Sequence, residues 1–196
     1  MSDKKKAVEA RKCMTPEFRA SFPHVFKAHT GFEGQEAKFS IVMLFPKKTD
    51  LSALKKAAFN AATEEWGAKE KWPKGLRMPF RDGDEKPDLQ GYEDTIFVTA
   101  SSKQRPGVVG PSLNTITEED QAFYAGCYAR ATLIAFAYNK AGNRGVSFSL
   151  QNIQKLRDGE PFSGRKKAED EFETVEDGSD EPNAYGVESA QDAMGF

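Results

Sequence analysis

All 28 Lys and Arg of this 196-residue chain lie at or before Lys167. The stretch 168–196 instead carries Glu169, Asp170, Glu171, Glu173, Glu176, Asp177, Asp180, Glu181, Glu188 and Asp192, and it ends on Phe196. The body sets 28 cations against 20 acids, a formal charge of +8, and the tail carries −10. A segment with ten acids and no cation repels itself and stays solvated. The core must therefore be built from the body, with residues 168–196 as a disordered acidic tail.

The same split points to a polyanion. A basic body attracts phosphate backbones through counterion release, and a tethered acidic tail can occupy that surface when no nucleic acid is there. Solubility alone would also account for an acidic tail. The near-cancellation of the two charges, to a net −2, favours the polyanion. No run of 18 apolar residues suggests a membrane span. The polar start, MSDKKKAVEARK, lacks the apolar stretch of a signal peptide. Cys13 and Cys127 have no metal-ligand spacing, which suits a reducing cytoplasm.

Residues 1–13 read as a flexible basic arm. TPEFRASFPHVFKAHTGFEGQ is extended chain, interrupted at its prolines and glycines. AKFSIVMLFP is a strand with two apolar faces. KKTDLSALKKAAFNAATEEWG predicts a helix capped by Thr49 or Asp50, with Leu51, Leu54, Ala58, Ala62 and Trp66 on one face and Gly67 as its stop. YEDTIFVTASS is a strand.

QAFYAGCYARATLIAFAYN has helix-forming alanines, yet Tyr128, Arg130, Thr132, Ile134, Phe136 and Tyr138 alternate with smaller residues. That alternation predicts a long strand. KAGNRG then turns a hairpin into VSFSLQNIQKLRDGEPF, with Val146, Phe148 and Leu150 inward. Five or six strands and one helix suit a small closed or nearly closed barrel, in which closure removes exposed edges. An open α+β sheet is the alternative.

The chain contains no phosphate-loop, dinucleotide, nucleophile-elbow or HExxH motif. His24 and His29 lie five apart in extended chain, which would put them on opposite faces. RDGDEKPD fails as an EF-hand loop, because Lys86 and Pro87 stand at its fifth and sixth positions. No cofactor or metal is expected, and the chain reads as a binding protein. A metal-dependent nuclease with carboxylates gathered from distant strands, or a virion or scaffolding protein, are the competing classes.

The positive signal is cations interleaved with aromatics. Lys71, Trp72, Lys74, Arg77, Phe80 and Arg81 fall in one basic stretch. Lys103 and Arg105 follow the second predicted strand, and Tyr128, Arg130, Tyr138 and Arg144 belong to the hairpin. Single strands are held this way, with cations along the phosphates and aromatic faces against bases. Trp72, beside Pro73 in a basic loop, is the foremost stacking candidate, and Trp66 is assigned to the core.

TPEFRASFPHVFKAH, a strand ending FPK, a helix ending EEWG, WPKGLRMPFRDGDEK, and ASS before KQRPGVV together resemble the Enc34-type single-stranded DNA-binding proteins of tailed phages. The likeness spans roughly residues 14–160. It implies a five-stranded Greek-key OB-fold barrel over 14–167, with an inserted helix and extra loops. It also implies roles in phage DNA replication, recombination and repair in the host cytoplasm, and no catalysis. The tail would compete with DNA and offer Phe196, with Asp192, to a replication protein such as a polymerase or helicase. A homodimer is compatible with the resemblance. The tip ESAQDAMGF departs from the densely acidic endings of such proteins.

Overall fold

The computed structural model describes residues 3–162 apart from Phe32 and Ala141. The tail, with Asp192 and Phe196, lies outside the described residues.

Where the sequence suggests a flexible arm, residues 3–11 form helix α1 (Asp3–Arg11). It is fastened to the helix α2 (Ser52–Trp66). Arg11 pairs with Glu64 at 2.8 Å, and the Asn60 amide donates to the Ala10 carbonyl at 2.6 Å. α2 begins two residues after Asp50, with Leu51 and not Thr49 or Asp50 at the N-cap position, and the Asp50 carboxylate accepts from the Ser52 N–H. Its buried face is Leu54, Ala57, Ala58, Ala61 and Ala62. Leu51 is also buried, and Trp66 packs partly buried against the core.

The strands are β1 (Lys12–Met14), β2 (Phe18–His29), β3 (Lys38–Pro46), β4 (Arg81–Asp82), β5 (Thr95–Ser102), β6 (Gly107–Val109), β7 (Tyr128–Lys140) and β8 (Asn143–Arg157). β7 alternates as its sequence requires. Ala129, Ala131, Leu133 and Ala135 are buried, while Arg130 and Phe136 are exposed. The small inward residues let α2 pack close on this strand. In β8, Val146, Phe148 and Leu150 point inward as expected. Gln151 is then an extra residue in the ladder, because Leu133 opposes Leu150 and Thr132 opposes Asn152. That bulge returns Ile153 to the core.

The topology is OB-like and mainly β, with α2 inserted between β3 and β5. The closed five-stranded barrel is corrected, however. The strands form one eight-stranded sheet in the order β1-β7-β2-β3-β5-β8-β6, with β4 on β5 and a further β7–β8 pairing. This sheet is not closed into a barrel. The reason lies along β8. Its outer edge meets Arg77 at Gly145, then β5 for two parallel pairs (Ala100↔Phe148, Ser101↔Ser149), then β6 at Asn152–Gln154. No single long ladder seals that side. The sheet keeps β1 and β6 as edges, and both are only three residues long, which limits what they offer an intruding strand.

The main core joins α2 to the inner sheet face through Phe18, Phe45, Leu54, Leu133, Phe148 and Ile153. A second small cluster of Leu44, Tyr92 and Phe97 covers one end of the outer face. There Ser21 and Tyr92 share a buried hydrogen bond at 3.3 Å.

Candidate nucleic-acid interface

The side chains that turn away from the core define the candidate surface. Along one row across the sheet, His24 opposes Ser40, Ser40 opposes Ser101, Ser101 aligns with Ser149, and Ser149 opposes Ile134. The alternate residues Ile41, Ala100 and Phe148 are buried, so the serines face outward. One row along, Ser147 opposes Phe136. The result is a floor of small hydroxyl side chains on three adjacent strands. A polymer backbone could approach the sheet closely there.

Aromatic side chains stand beside this floor. Phe136 is 36% exposed. Tyr138 opposes Gly145, and its ring lies over that glycine: a Cβ on Gly145 would sit 2.5 Å from Tyr138 Oη and 2.6 Å from the Arg77 carbonyl. Gly145 therefore leaves room for the hydroxyl end of the ring. The backbone of Arg77 is hydrogen-bonded into the same place. Its N–H donates to the Arg144 carbonyl, and its carbonyl accepts from the Val146 N–H. Arg77, Tyr138 and Arg144, distant in sequence, become neighbours.

A cationic lobe adjoins the hairpin tips. Lys103 pairs with Glu36 at 2.7 Å. Together with Lys38 and Lys140 it holds the Glu36 carboxyl below the usual carboxylate range, the Lys103 hydrogen bond contributing most. Three lysines from three parts of the chain thus surround one carboxylate. Arg105 lies 5.7 Å from the Phe26 ring centroid, in a cation–π contact.

Other predicted residues are placed differently. Trp72 is half-buried. Its ring packs on Phe59 with centroids 5.1 Å apart, and its indole N–H donates to the Gly67 carbonyl at 3.0 Å. Lys71 and Lys74 flank it, exposed. Phe80 turns edge-on to Phe148 in the core. Arg81 is exposed on β4, opposite Phe97. Arg130 donates to the Gln154 side chain at 2.9 Å.

Tyr128 shares the outward face of β7 with Tyr138 but lies ten residues away, about 33 Å along the strand. It sits at the other end of the sheet under Arg157, whose guanidinium is 3.5 Å from the ring centroid and is paired with Glu17. Arg19 is nearby. It donates to the Gly126 and Glu160 carbonyls and lies 4.2 Å from the Phe162 ring centroid. Phe162 is fastened in turn by its N–H to the Ala125 carbonyl. This end of the sheet is tied up by the segment 158–162.

His24 and His29 are not on opposite faces. Their rings stack 4.3 Å apart. Sequence reasoning also passed over Phe136 and the serines, although the alternation that placed Tyr138 outward places Phe136 beside it. The exposed Phe22, at φ 44° in the β2 bulge, has no period-two signal.

The Asp82 and Asp84 carboxylates of the acidic RDGDEKPD turn are engaged by neighbouring segments. Lys47 pairs with Asp82 at 3.0 Å and also with Asp84, while Asp84 accepts from the Asp94 N–H. Among the described residues no group of three or more His, Cys, Asp and Glu is arranged to hold a metal ion. Burial pushes the Cys13 thiol up to about 11 and raises Cys127 as well, so neither is a ready thiolate nucleophile.

An OB-like sheet with a small-residue floor, aromatic walls and a cationic lobe belongs to the nucleic-acid-binding class of β proteins. Residues 11–182 match the family described as the ssDNA-binding protein of Enterobacter phage Enc34, and the chain belongs to that family. A relative in Acyrthosiphon pisum secondary endosymbiont phage 1, "Putative protein p50", is 36% identical over 156 residues, covering 74% of this chain and 83% of the relative. The fold is shared with the single-stranded DNA-binding protein from bacteriophage Enc34 in complex with ssDNA. That match has a TM-score of 0.69 and 24% identity, over 79% of this chain and 91% of the other. It is shared more distantly with gp2.5, a single-stranded DNA-binding protein encoded by bacteriophage T7. There the TM-score is 0.51 at 14% identity, over 80% and 97% of the two chains.

Proposed function

We propose that this protein binds single-stranded DNA with little sequence preference along the outer face of its sheet. The observation that carries the reading is the serine floor flanked by Phe136 and Tyr138 and ending in the lysine lobe. Bases stack on the aromatic rings, and every base offers a π-face, so stacking does not select sequence. Arg77, Lys103, Arg105, Lys140 and Arg144 track the phosphates, with Lys71, Lys74, Arg81 and Arg130 as outer cations. Trp72 and Tyr128, each already stacked within the protein, extend the surface at its ends. Double strands bind more weakly, because phosphate attraction remains and stacking is lost.

The bound strand is thereby kept free of hairpins during phage DNA replication, recombination and repair in the host cytoplasm. The acidic tail acts as a tethered competitor, with an effective concentration on the order of millimolar. DNA displaces it and frees Asp192 and Phe196 for a replication protein.

Deleting residues 168–196 tests this. Affinity for oligo-dT should rise, most at low salt, as measured by fluorescence anisotropy. Unchanged or lower affinity at low salt would refute tail competition, and no binding by either form would refute the DNA reading.

A further inference from the structure

In a regular strand, residues five apart lie about 17 Å from one another on opposite faces. His24 and His29 instead stack with centroids 4.3 Å apart and planes 15° apart. The β2 bulge brings this about. Between His24↔Ser40 and His29↔Lys38, β2 advances five residues while β3 advances two. The surplus leaves the ladder: Val25 enters the core, Phe26 meets Arg105, and Lys27 pairs with Glu118 at 2.7 Å. Rings stacked face to face do not aim their nitrogens at one point, so the pair is not arranged to chelate a metal.

The stack stands at the head of the serine row, where His24 opposes Ser40. His29 also lines a hollow of about 420 Å³ with Gly31, Gln35, Glu36, Lys38 and Ser40. The charged groups around it are Lys38 from β3, Glu36 from the β2–β3 connection, Lys103 from the β5–β6 connection and Lys140 from the β7–β8 tip. Lys27 and Arg105 are engaged with Glu118 and Phe26. This balance of three lysines to one carboxylate suits an anion.

We propose that the His24–His29 stack is a phosphodiester subsite whose hold on a DNA strand is coupled to the uptake of one proton. It rests on the reading of this face as the DNA path. In the free protein, partial burial, and then the neighbouring His29, hold the His24 pKa below its ordinary value. A phosphate oxygen beside the stacked rings favours the imidazolium instead. A ring nitrogen takes a proton from water, and the new N–H donates to the phosphate. The bound pKa then exceeds the free one, so affinity rises as pH falls between them and is flat well above both.

The test is a titration of the full chain with labelled oligo-dT at constant ionic strength, from about pH 8 to about pH 6. Neither thymine nor the phosphodiester titrates in that range. One proton steepens affinity by at most about tenfold per pH unit, and a rise of about fivefold across the range is expected. At least one of His24→Gln and His29→Gln should lose the rise, each variant's slope being read against its own affinity at the alkaline end. A flat parent, or equal slopes in parent and variants, would overturn the subsite alone. Failure of the parent to bind at any pH would overturn the DNA reading with it. If the variants do not fold, the imidazole NMR resonances of the parent decide the matter. Oligo-dT must raise the pKa of at least one histidine, and no movement overturns the proposal.

Discussion

Gly145 carries no side chain because the Tyr138 ring and the Arg77 carbonyl occupy the space where one would go. The glycine is thus a component of the aromatic wall. Gly145→Ala should displace Tyr138 and destabilise the fold by about 1–3 kcal/mol through overpacking. Tyr138→Ala should leave the thermal midpoint nearly unchanged and weaken oligo-dT binding by about 1–3 kcal/mol, the range for one stacked base. Paired thermal melts and anisotropy titrations separate the two. A Tyr138→Ala protein with parental affinity would remove that ring from the DNA path. The outward position of Tyr138 was legible from alternation, but its placement over Gly145 was not. That depends on which residue of β8 lies opposite, and register here is set by the pair that closes the hairpin, Lys140↔Asn143, which the turn-forming run KAGNRG leaves open.

At the scale of elements, α2 and the β7–β8 hairpin were readable because their burial follows a fixed period. Apolar spacing of three and four marked α2, and alternation decided β7 against its helix-favouring alanines. Leu54, fully buried on α2, anchors this packing. Leu54→Ala should cost about 2–5 kcal/mol, read as a lowered denaturation midpoint with unchanged DNA affinity in the folded fraction. β2 was not readable in the same way. Its bulges break the period at Phe22–Pro23 and again between His24 and His29, so a period-two argument separates histidines that the fold stacks. α1 was missed for another reason. A short polar helix has little intrinsic stability, and it is held here by Arg11–Glu64 and Asn60–Ala10, contacts with residues some fifty positions away.

For the whole molecule, charge is the quantity with consequences. Single-strand affinity should fall with salt, by about 0.7 in the log–log slope for each phosphate contacted. Replacing Lys103 and Lys140 by Ala should lower the slope by about that amount each, with little change in stacking, measured by titrations at several salt concentrations. An unchanged slope would take the lysine lobe off the DNA path. The division into a +8 body and a −10 tail was fixed by composition alone, since formal charges need no coordinates. So were the helix, the long hairpin and the supply of cations and aromatics, because each rests on residue type and local period. Tertiary structure decided the rest. It left the sheet with two short edges in place of a closed barrel, because Arg77, β5 and β6 share one side of β8. It aligned serines from three strands into a floor, gathered Lys38, Lys103 and Lys140 around Glu36, and turned Phe80 inward. These are matters of register and long-range pairing, and a side chain's neighbours across a sheet are set by residues far from it in the chain.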